Sequence, residues 1–167
     1  MTAQRGKEDR GPRRGEVIRE EKEFEQKILD LARVTRVTKG GKRMRFRATV
    51  VVGDRKGRVG FGVAKGNDVT LSVNKAARDA KRRLIAIPLM NETIPHMVEA
   101  KFGASVVLLR PAPQGTGIKA GGAVRTVLEL AGVPNAVGKI RRGSNKINTL
   151  KATALALSRL KLRPRVS

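Results

Sequence analysis

Strict alternation along residues 43–50 is the feature of this sequence that most restricts its fold. Apolar side chains fill every second position (Met44, Phe46, Ala48 and Val50), and arginine or threonine fills the positions between them. Successive side chains of a β-strand point to opposite faces, so this period of two predicts a strand with one core face and one cationic face. The segment therefore requires a sheet whose outer face carries positive charge.

Turn signals on both sides of this strand predict a three-stranded antiparallel unit. The β-branched residues 34–38 precede Lys39-Gly40-Gly41-Lys42, a glycine turn that would close a first hairpin. A second turn at 53–57 leads to a third strand over 58–64. In that strand Gly60 and Gly62 leave room for the close approach of another backbone or of an RNA strand.

Two helical patterns flank the three predicted strands. Upstream, Phe24, Ile28 and Leu31 recur at helical spacing and predict a short amphipathic helix over residues 20–32. Downstream, Asn67 or Asp68 can cap a helix that runs to about residue 85 and carries an apolar stripe beside a basic one. The basic stripe consists of Lys75, Arg78 and Arg82.

The second half of the chain has the pattern of a separate small unit. Strands are predicted at 96–99, 105–109 and 136–140, a helix over 121–131 with Gly132 as its C-cap, and a last helix from about residue 148. The fold class is therefore α+β with two small domains. The expected division is 1–30 (a basic and acidic extension, partly disordered), 31–88, 95–161 (β-α-β-α) and 162–167 (a basic tail).

Positive charge is concentrated in the part of the chain predicted to fold. The sequence has 37 Lys and Arg against 14 Asp and Glu, a formal net charge of +23. Residues 1–30 are neutral overall, so the excess lies beyond them. Phosphate backbones release condensed counterions on each neutralising contact, which makes a nucleic acid the expected partner. Aromatic residues are 2% of the chain, which favours contacts with phosphates, sugars and duplex shape over base stacking.

No pattern in the sequence indicates catalysis. There is no cysteine, there is one histidine, and the acids beyond residue 30 are scattered, so we expect no enzyme, cofactor, metal site or small-molecule substrate. A nucleotide-dependent enzyme is an alternative because Gly115–Ala120 has the letters of the dinucleotide fingerprint. The next strand, however, ends in Arg141 and Arg142 where that fingerprint needs an acid. Apolar runs are shorter than the ~20 residues of a membrane span, so a cytoplasmic protein without a membrane partner is expected.

The residues expected to contact RNA are mainly basic positions in the first hairpin, the second turn and the loop before the last helix. They are Arg36, Lys39, Gly40, Gly41, Lys42, Arg43, Arg45, Arg47, Arg55, Lys56, Arg58, Lys65, Arg141, Arg142 and Lys146. The hairpin holds six of these cations and no acid, whereas an ordinary solvated strand edge mixes signs. Contact with phosphate is the better explanation of such a hairpin.

Two long motifs resemble those of a known family. Lys39-Gly40-Gly41, residues 46–54, residues 57–62 and Ala64-Lys65 are similar to the signature of the bacterial ribosomal protein five family of the small subunit. Residues 115–118, 120–125 and 127–133 resemble the second motif of that family in the same order and spacing. One departure is the loop before the last helix, where Lys146 stands in place of the usual proline.

This resemblance implies a fold and a function. The N-terminal domain would be a β-β-β-α unit like the double-stranded-RNA-binding fold, and the C-terminal domain would contain a left-handed β-α-β crossover. The chain would bind small-subunit ribosomal RNA and have small-subunit proteins four and eight as neighbours. The loop at Lys39, Gly40 and Gly41 would reach into RNA near the head and neck of the subunit, beside the spectinomycin site. Gly117 and Arg125 would face protein four, at an interface linked to decoding fidelity. The alternative is a free-standing double-stranded-RNA-binding or RNA chaperone protein.

Overall fold

The computed structural model of the protein describes residues 24–162. Its elements are β1 (Glu25–Thr38), β2 (Gly41–Gly53), β3 (Arg58–Gly66), α1 (Val69–Arg82), β4 (Ile85–Ala86), β5 (Val98–Phe102), β6 (Ser105–Pro111), β7 (Ile118–Lys119), α2 (Gly122–Ala131), β8 (Ala136–Arg142) and α3 (Lys146–Ser158). They form two four-stranded sheets, ordered β1-β2-β3-β4 and β5-β6-β8-β7. The α+β class with two small domains is therefore confirmed. Most of the predicted N-terminal extension and of the basic tail lies outside the described residues.

The first strand is the largest departure from the sequence prediction. Residues 25–38 form β1, antiparallel to β2, so the helix predicted over residues 20–32 is wrong where the structure describes it. A register shift between Ile28 and Asp30 places an extra residue in β1. Leu29 packs against the core while Ile28 and Leu31 stay 49% and 46% exposed. The apparent helical spacing belongs to a bulged strand, whose pairing with β2 outweighs local propensity.

The middle strand β2 is covered on both faces along its second half. Val50 and Val52 pack against the alanines of α1, whereas Val51 joins the core of the C-terminal domain on the other face. The predicted division into a core face and a cationic face therefore fails at both ends. Met44 is 53% exposed because no described residue covers the first half of the strand, and Thr49 is fully buried.

Helix α1 begins at the predicted cap. The Asp68 carboxylate accepts hydrogen bonds from the Val69 N–H and the Thr70 hydroxyl, at 2.7 Å each. The helix then lies directly on β3, where a Cβ added at Gly60 or Gly62 would overlap backbone carbonyl oxygens of α1. Of the two expectations for these glycines, close approach of another backbone is the one that the structure bears out.

The two domains meet through backbone contacts at the β2–β3 turn. The Arg55 N–H donates to the Leu130 carbonyl at 3.0 Å, and the Gly57 N–H donates to the Ala131 carbonyl at 2.9 Å. A Cβ added at Gly53 would overlap the Leu130 carbonyl. Val51 and residues of α2 and α3 also belong to one buried cluster, so the domains share a core.

The C-terminal domain contains a parallel β-α-β unit. Strand β7, in a segment where the sequence pattern predicts no strand, pairs in parallel with β8, and α2 connects the two. Gly132 caps α2 in the left-handed conformation, as expected. Gly115 and Gly117 come before β7 and do not lie in a turn from strand to helix, so the dinucleotide fingerprint lacks its structural context. The hand of the crossover stays a prediction.

Candidate RNA interface

The β1–β2 hairpin projects beyond the rest of its sheet. β2 pairs with β3 only from Phe46 onward, whereas its pairing with β1 continues to Thr38 and Gly41. Residues 34–45 therefore form a two-stranded ribbon, which we call the basic ribbon. It contains five cross-strand pairs. A rise of ~3.4 Å per residue gives a projection of about 17 Å.

The two faces of the basic ribbon differ: one carries arginines, and the other carries apolar side chains together with Lys42. Arg36 lies directly opposite Arg43, and Arg45 follows two residues along the strand, which places it on the same face. Val37 and Met44 lie on the other face and are 75% and 53% exposed, and Lys42 lies on that face directly opposite Val37. Like charges directly opposite each other destabilise a strand pair, and an isolated hairpin is marginally stable in water. We therefore expect an anion to bind the arginine face of the ribbon.

The tip of the basic ribbon is open to the approach of a large partner. Lys39 and Gly40 form a two-residue turn, and the Thr38 hydroxyl donates to the Gly41 carbonyl at 3.0 Å. Gly41 has a φ of +144°, which favours glycine at that position. Among the described residues, apart from its chain neighbours, no heavy atom lies within 4 Å of a Cβ added at either glycine, so a polynucleotide backbone can reach the turn.

Five of the predicted RNA contacts are engaged in ion pairs within the protein. The pairs are Arg47–Asp30 (3.7 Å), Arg55–Glu25 (2.6 Å), Arg58–Asp54 (2.6 Å), Arg141–Glu99 (3.4 Å) and Lys146–Asp30 (3.1 Å). Apart from Arg58–Asp54, whose carboxylate is nearly buried, pairs at the surface contribute little to stability, but they hold long side chains in one place. Lys146 is the first residue of α3 and Asp30 lies in β1, so this pair also joins the two domains. These cations are less available to phosphate than those of the basic ribbon.

Asp54 organises the β2–β3 turn next to these pairs. Its carboxylate is only 3% exposed and accepts from the Lys56 N–H (2.8 Å), the Arg58 N–H (3.0 Å) and the Arg58 guanidinium (2.6 Å). Burial alone would raise the pKa of Asp54, but these hydrogen bonds lower the pKa below its usual value. Arg58 also lies 5.5 Å from the centre of the Phe24 ring. The turn thus presents Arg58 in a fixed position, with Lys56 exposed beside it.

Lys65 lies in a cationic surface that the sequence pattern predicts only in part. Lys75 and Arg78 of α1 line the same depressions as Arg45 and Lys65. Their spacing along the helix was visible in the sequence as the basic stripe, but their approach to β2 and β3 was not. Arg142 is also exposed, at the end of β8.

Gly117 and Arg125 come together at the junction of the two domains. The Gly117 N–H donates to the Asn135 side chain at 3.0 Å, and the Arg125 guanidinium donates to the Ile118 carbonyl at 3.0 Å. Arg125 lines an open depression of about 650 Å³ with residues of both domains, including Arg55. Gly117 has a φ of +69° and no atom near an added Cβ, so this loop is accessible.

Within residues 24–162, no helix is long and apolar enough to cross a membrane. The same part of the chain contains no group of three or more His, Cys, Asp or Glu side chains arranged to hold a metal ion. His96, the single histidine, is within 3.2 Å of the Lys161 N–H through its Nε2 atom, which indicates a structural role.

Comparison with known proteins identifies both domains. The family model described as "Ribosomal protein S5, N-terminal domain" matches residues 24–88, and that described as "Ribosomal protein S5, C-terminal domain" matches residues 100–166. The chain is also similar to "Small ribosomal subunit protein uS5c" of Spinacia oleracea, with 53% identity over 139 residues. That match covers 83% of this chain and 45% of the relative, so the chain spans less than half of the relative's length. The chain belongs to the ribosomal protein S5 family.

Proposed function

We propose that this protein is a structural, non-enzymatic constituent of the small ribosomal subunit that binds ribosomal RNA, stabilises its fold and contributes to translational accuracy. Membership of the S5 family and the name of the relative support the assignment to the small subunit. The observation that carries RNA binding is the basic ribbon, where Arg36 faces Arg43 across the strands. Phosphate is the partner that removes this repulsion.

The ribbon binds by placing its arginine face against phosphates. Arg36, Arg43 and Arg45 each offer several N–H donors in a planar fork, which suits phosphate oxygens. The other face places Val37 and Met44 against the sugar edge of the same RNA, and Lys42 on that face reaches a phosphate. Because Gly40 and Gly41 carry no side chains, the turn lets a sugar–phosphate backbone approach the peptide closely.

The paired cations of the body, by which we mean the described residues outside the basic ribbon, contribute less to binding. Arg55, Arg58 and Lys146 each keep a carboxylate partner, and a compensated charge gains less from phosphate than a free one. They contact RNA at the side of the ribbon and orient the body on it. Lys56, Lys65 and the Arg141–Arg142 loop complete the surface.

The junction around Gly117 and Arg125 is proposed as a protein interface. Its open depression, the exposed guanidinium of Arg125 and the nearby Glu129 suit a partner protein with charges of both signs. Small-subunit protein four is proposed as the occupant, and protein eight as a further neighbour. An interface here would connect the domain junction to decoding fidelity.

A charge-neutralised ribbon tests the proposed function. The variant Arg36→Gln/Lys42→Gln/Arg43→Gln, called the ribbon variant, removes three exposed charges. Lys101→Gln/Lys119→Gln/Lys139→Gln, called the control variant, removes three exposed charges elsewhere. In filter binding to small-subunit ribosomal RNA, we expect the ribbon variant to bind at least ~10-fold more weakly. The salt slope, which is the slope of the logarithm of the binding constant against the logarithm of the salt concentration, should fall in magnitude by about 2. Equal behaviour of the two variants would contradict the proposal.

A competition experiment separates the ribosomal role from a free-standing RNA-binding or chaperone role. Ribosomal RNA and random RNA duplexes are compared at one salt concentration, because affinities for nucleic acid depend steeply on salt. A ribosomal constituent prefers its own RNA and co-sediments with small subunits. Equal affinity for both RNAs, with the protein recovered only in ribosome-free fractions, would support the alternative.

A further inference from the structure

A second cationic surface lies along the outer side of helix α1. The helix packs its alanines on the N-terminal sheet, which leaves Lys75, Arg78 and Arg82 exposed on the opposite side. β4 pairs only with Arg58 and Val59 of β3. The rest of β3 therefore forms an edge in the described part of the chain, and α1 runs beside that edge.

Side chains from three elements meet at this edge. Two adjoining depressions, of about 520 and 540 Å³, are lined by residues of β2, β3 and α1. Both contain Arg45, Lys65, Lys75 and Arg78, and the second also contains Arg82. We call this set of five residues the α1–β3 face.

The cations of the α1–β3 face lack partners among the described residues. Within residues 24–162, none of the five forms an ion pair with an acidic group. Asp79 also lines the second depression, and its carboxylate lies 3.4 Å from the Arg83 guanidinium. This arrangement contrasts with the β2–β3 turn, where Arg55 and Arg58 are paired. The α1–β3 face, like the basic ribbon, therefore holds neighbouring positive charges that a bound anion would stabilise.

We propose that the α1–β3 face is a second binding site for the RNA backbone, continuous with the basic ribbon at Arg45. The proposal rests on the proposed function, because both surfaces bind the same class of ligand. From Lys75 to Arg82 the helix rises about 10 Å. A duplex strand carries about one phosphate per 3.4 Å of axis, so the stripe faces roughly three phosphates.

The chemistry of the face favours duplex RNA over single-stranded RNA. None of its lining residues is aromatic, so it offers no platform for unstacked bases. Asn67 and Asn74 lie among the lining cations, and their amides can bond to ribose hydroxyls. Arg45 belongs to both surfaces, so a polyanion held by the ribbon continues onto the face.

Neutralising the helical stripe tests this second site. The variant Lys75→Gln/Arg78→Gln/Arg82→Gln, called the helix variant, keeps helix propensity nearly constant. We expect its salt slope for an RNA duplex of about 20 base pairs to fall by about 2, and its affinity to fall at least ~10-fold. The control variant, which removes the same charge elsewhere, should change the slope by less than about 1.

A labelling experiment checks direct contact. The chain has no cysteine, so Asn74→Cys and Lys101→Cys each create a single site for a photo-cross-linking group. We expect the label at position 74 to cross-link to the RNA duplex and the label at position 101 not to do so. Equal cross-linking from both positions would overturn the proposal.

The outcomes separate the second site from the proposed function. If the helix variant behaves like the control variant while the ribbon variant loses affinity, the α1–β3 face is not an RNA site and the proposed function stands. If neither variant loses affinity, both proposals fail. If the helix variant binds RNA normally but no longer associates with small-subunit proteins, the face is a protein contact and the second RNA site is wrong.

Discussion

Among single residues, Asp54 has the clearest link between local chemistry and stability. Its nearly buried carboxylate accepts two backbone N–H groups and the Arg58 guanidinium. These bonds favour the charged form and lower the pKa of Asp54 in the folded state. In the unfolded chain the pKa returns to about 3.9. The ionised carboxylate therefore stabilises the folded protein above that pH, and this stabilisation is lost as the pH falls through the lower folded-state pKa.

Replacement of this carboxylate should have a pH-dependent effect. We expect Asp54→Asn to lower the free energy of unfolding by about 1 kcal/mol at neutral pH, because the charge-assisted bond to Arg58 is lost. The difference from the parent protein should shrink below about pH 4. Urea unfolding at neutral and acidic pH measures both values. Asp79→Asn, on the exposed side of α1, is the control and should change stability by less than about 0.5 kcal/mol; a pH-independent loss at position 54 would contradict the mechanism.

Sequence composition indicates which cations are free of ion pairs better in the ribbon than elsewhere. Arg36 and Arg43 stand in a stretch without acids, and within residues 24–162 both are exposed and form no ion pair. Arg47 and Lys146 were grouped with them, yet both pair with Asp30, which is distant from Lys146 in sequence. Such pairs depend on how β1 crosses the body. Counting charges along the sequence does not show which cations pair with acids that are distant in the chain.

At the level of elements, the packing of α1 on β3 depends on glycine. A Cβ at Gly62 would overlap the Ala76 carbonyl oxygen, which belongs to helix backbone and cannot move aside alone. We expect Gly62→Ala to lower the free energy of unfolding by about 2–3 kcal/mol, since α1 must shift off the sheet. Chemical denaturation measures this loss.

A second glycine provides the matched control. Gly122 begins α2 and has no atom within 4 Å of an added Cβ. Gly122→Ala should leave stability unchanged or raise it by about 0.5–1 kcal/mol, because alanine favours the helix. If Gly62→Ala were as well tolerated as Gly122→Ala, close helix–sheet contact would not be the role of Gly62.

The elements differ in how far local sequence determines them. α1 and the ribbon turn follow from Asp68 and from Lys39-Gly40, whose signals act over a few residues. β1 does not, because its bulge hides the period of two and its pairing partner lies beyond the turn. β7 is two residues long and exists only through its contact with β8. Long-range pairing determines these strands, and single-sequence periodicity does not report it.

For the whole molecule, the important fact is that two domains share one core. The sheet of the N-terminal domain is covered by α1 on one face and by the C-terminal domain on the other. The alternation of residues 43–50 predicted only the first of these layers. The shared core implies that the body unfolds as a unit and that the basic ribbon projects from a stably folded support.

Gly53 is one of two glycines that allow the domains to approach each other closely; a Cβ added at the other, Gly132, would overlap the Arg55 carbonyl oxygen. We expect Gly53→Ala to push Leu130 away and to break the Arg55 N–H bond to its carbonyl. A loss of about 2–3 kcal/mol would lower the Tm by roughly 5–10 °C for a chain of this size, measured by calorimetry. Gly40→Ala at the open ribbon turn is the control and should leave the Tm nearly unchanged. Two separate transitions in the parent protein, or an unchanged Tm in Gly53→Ala, would show that the domains are not coupled through this contact.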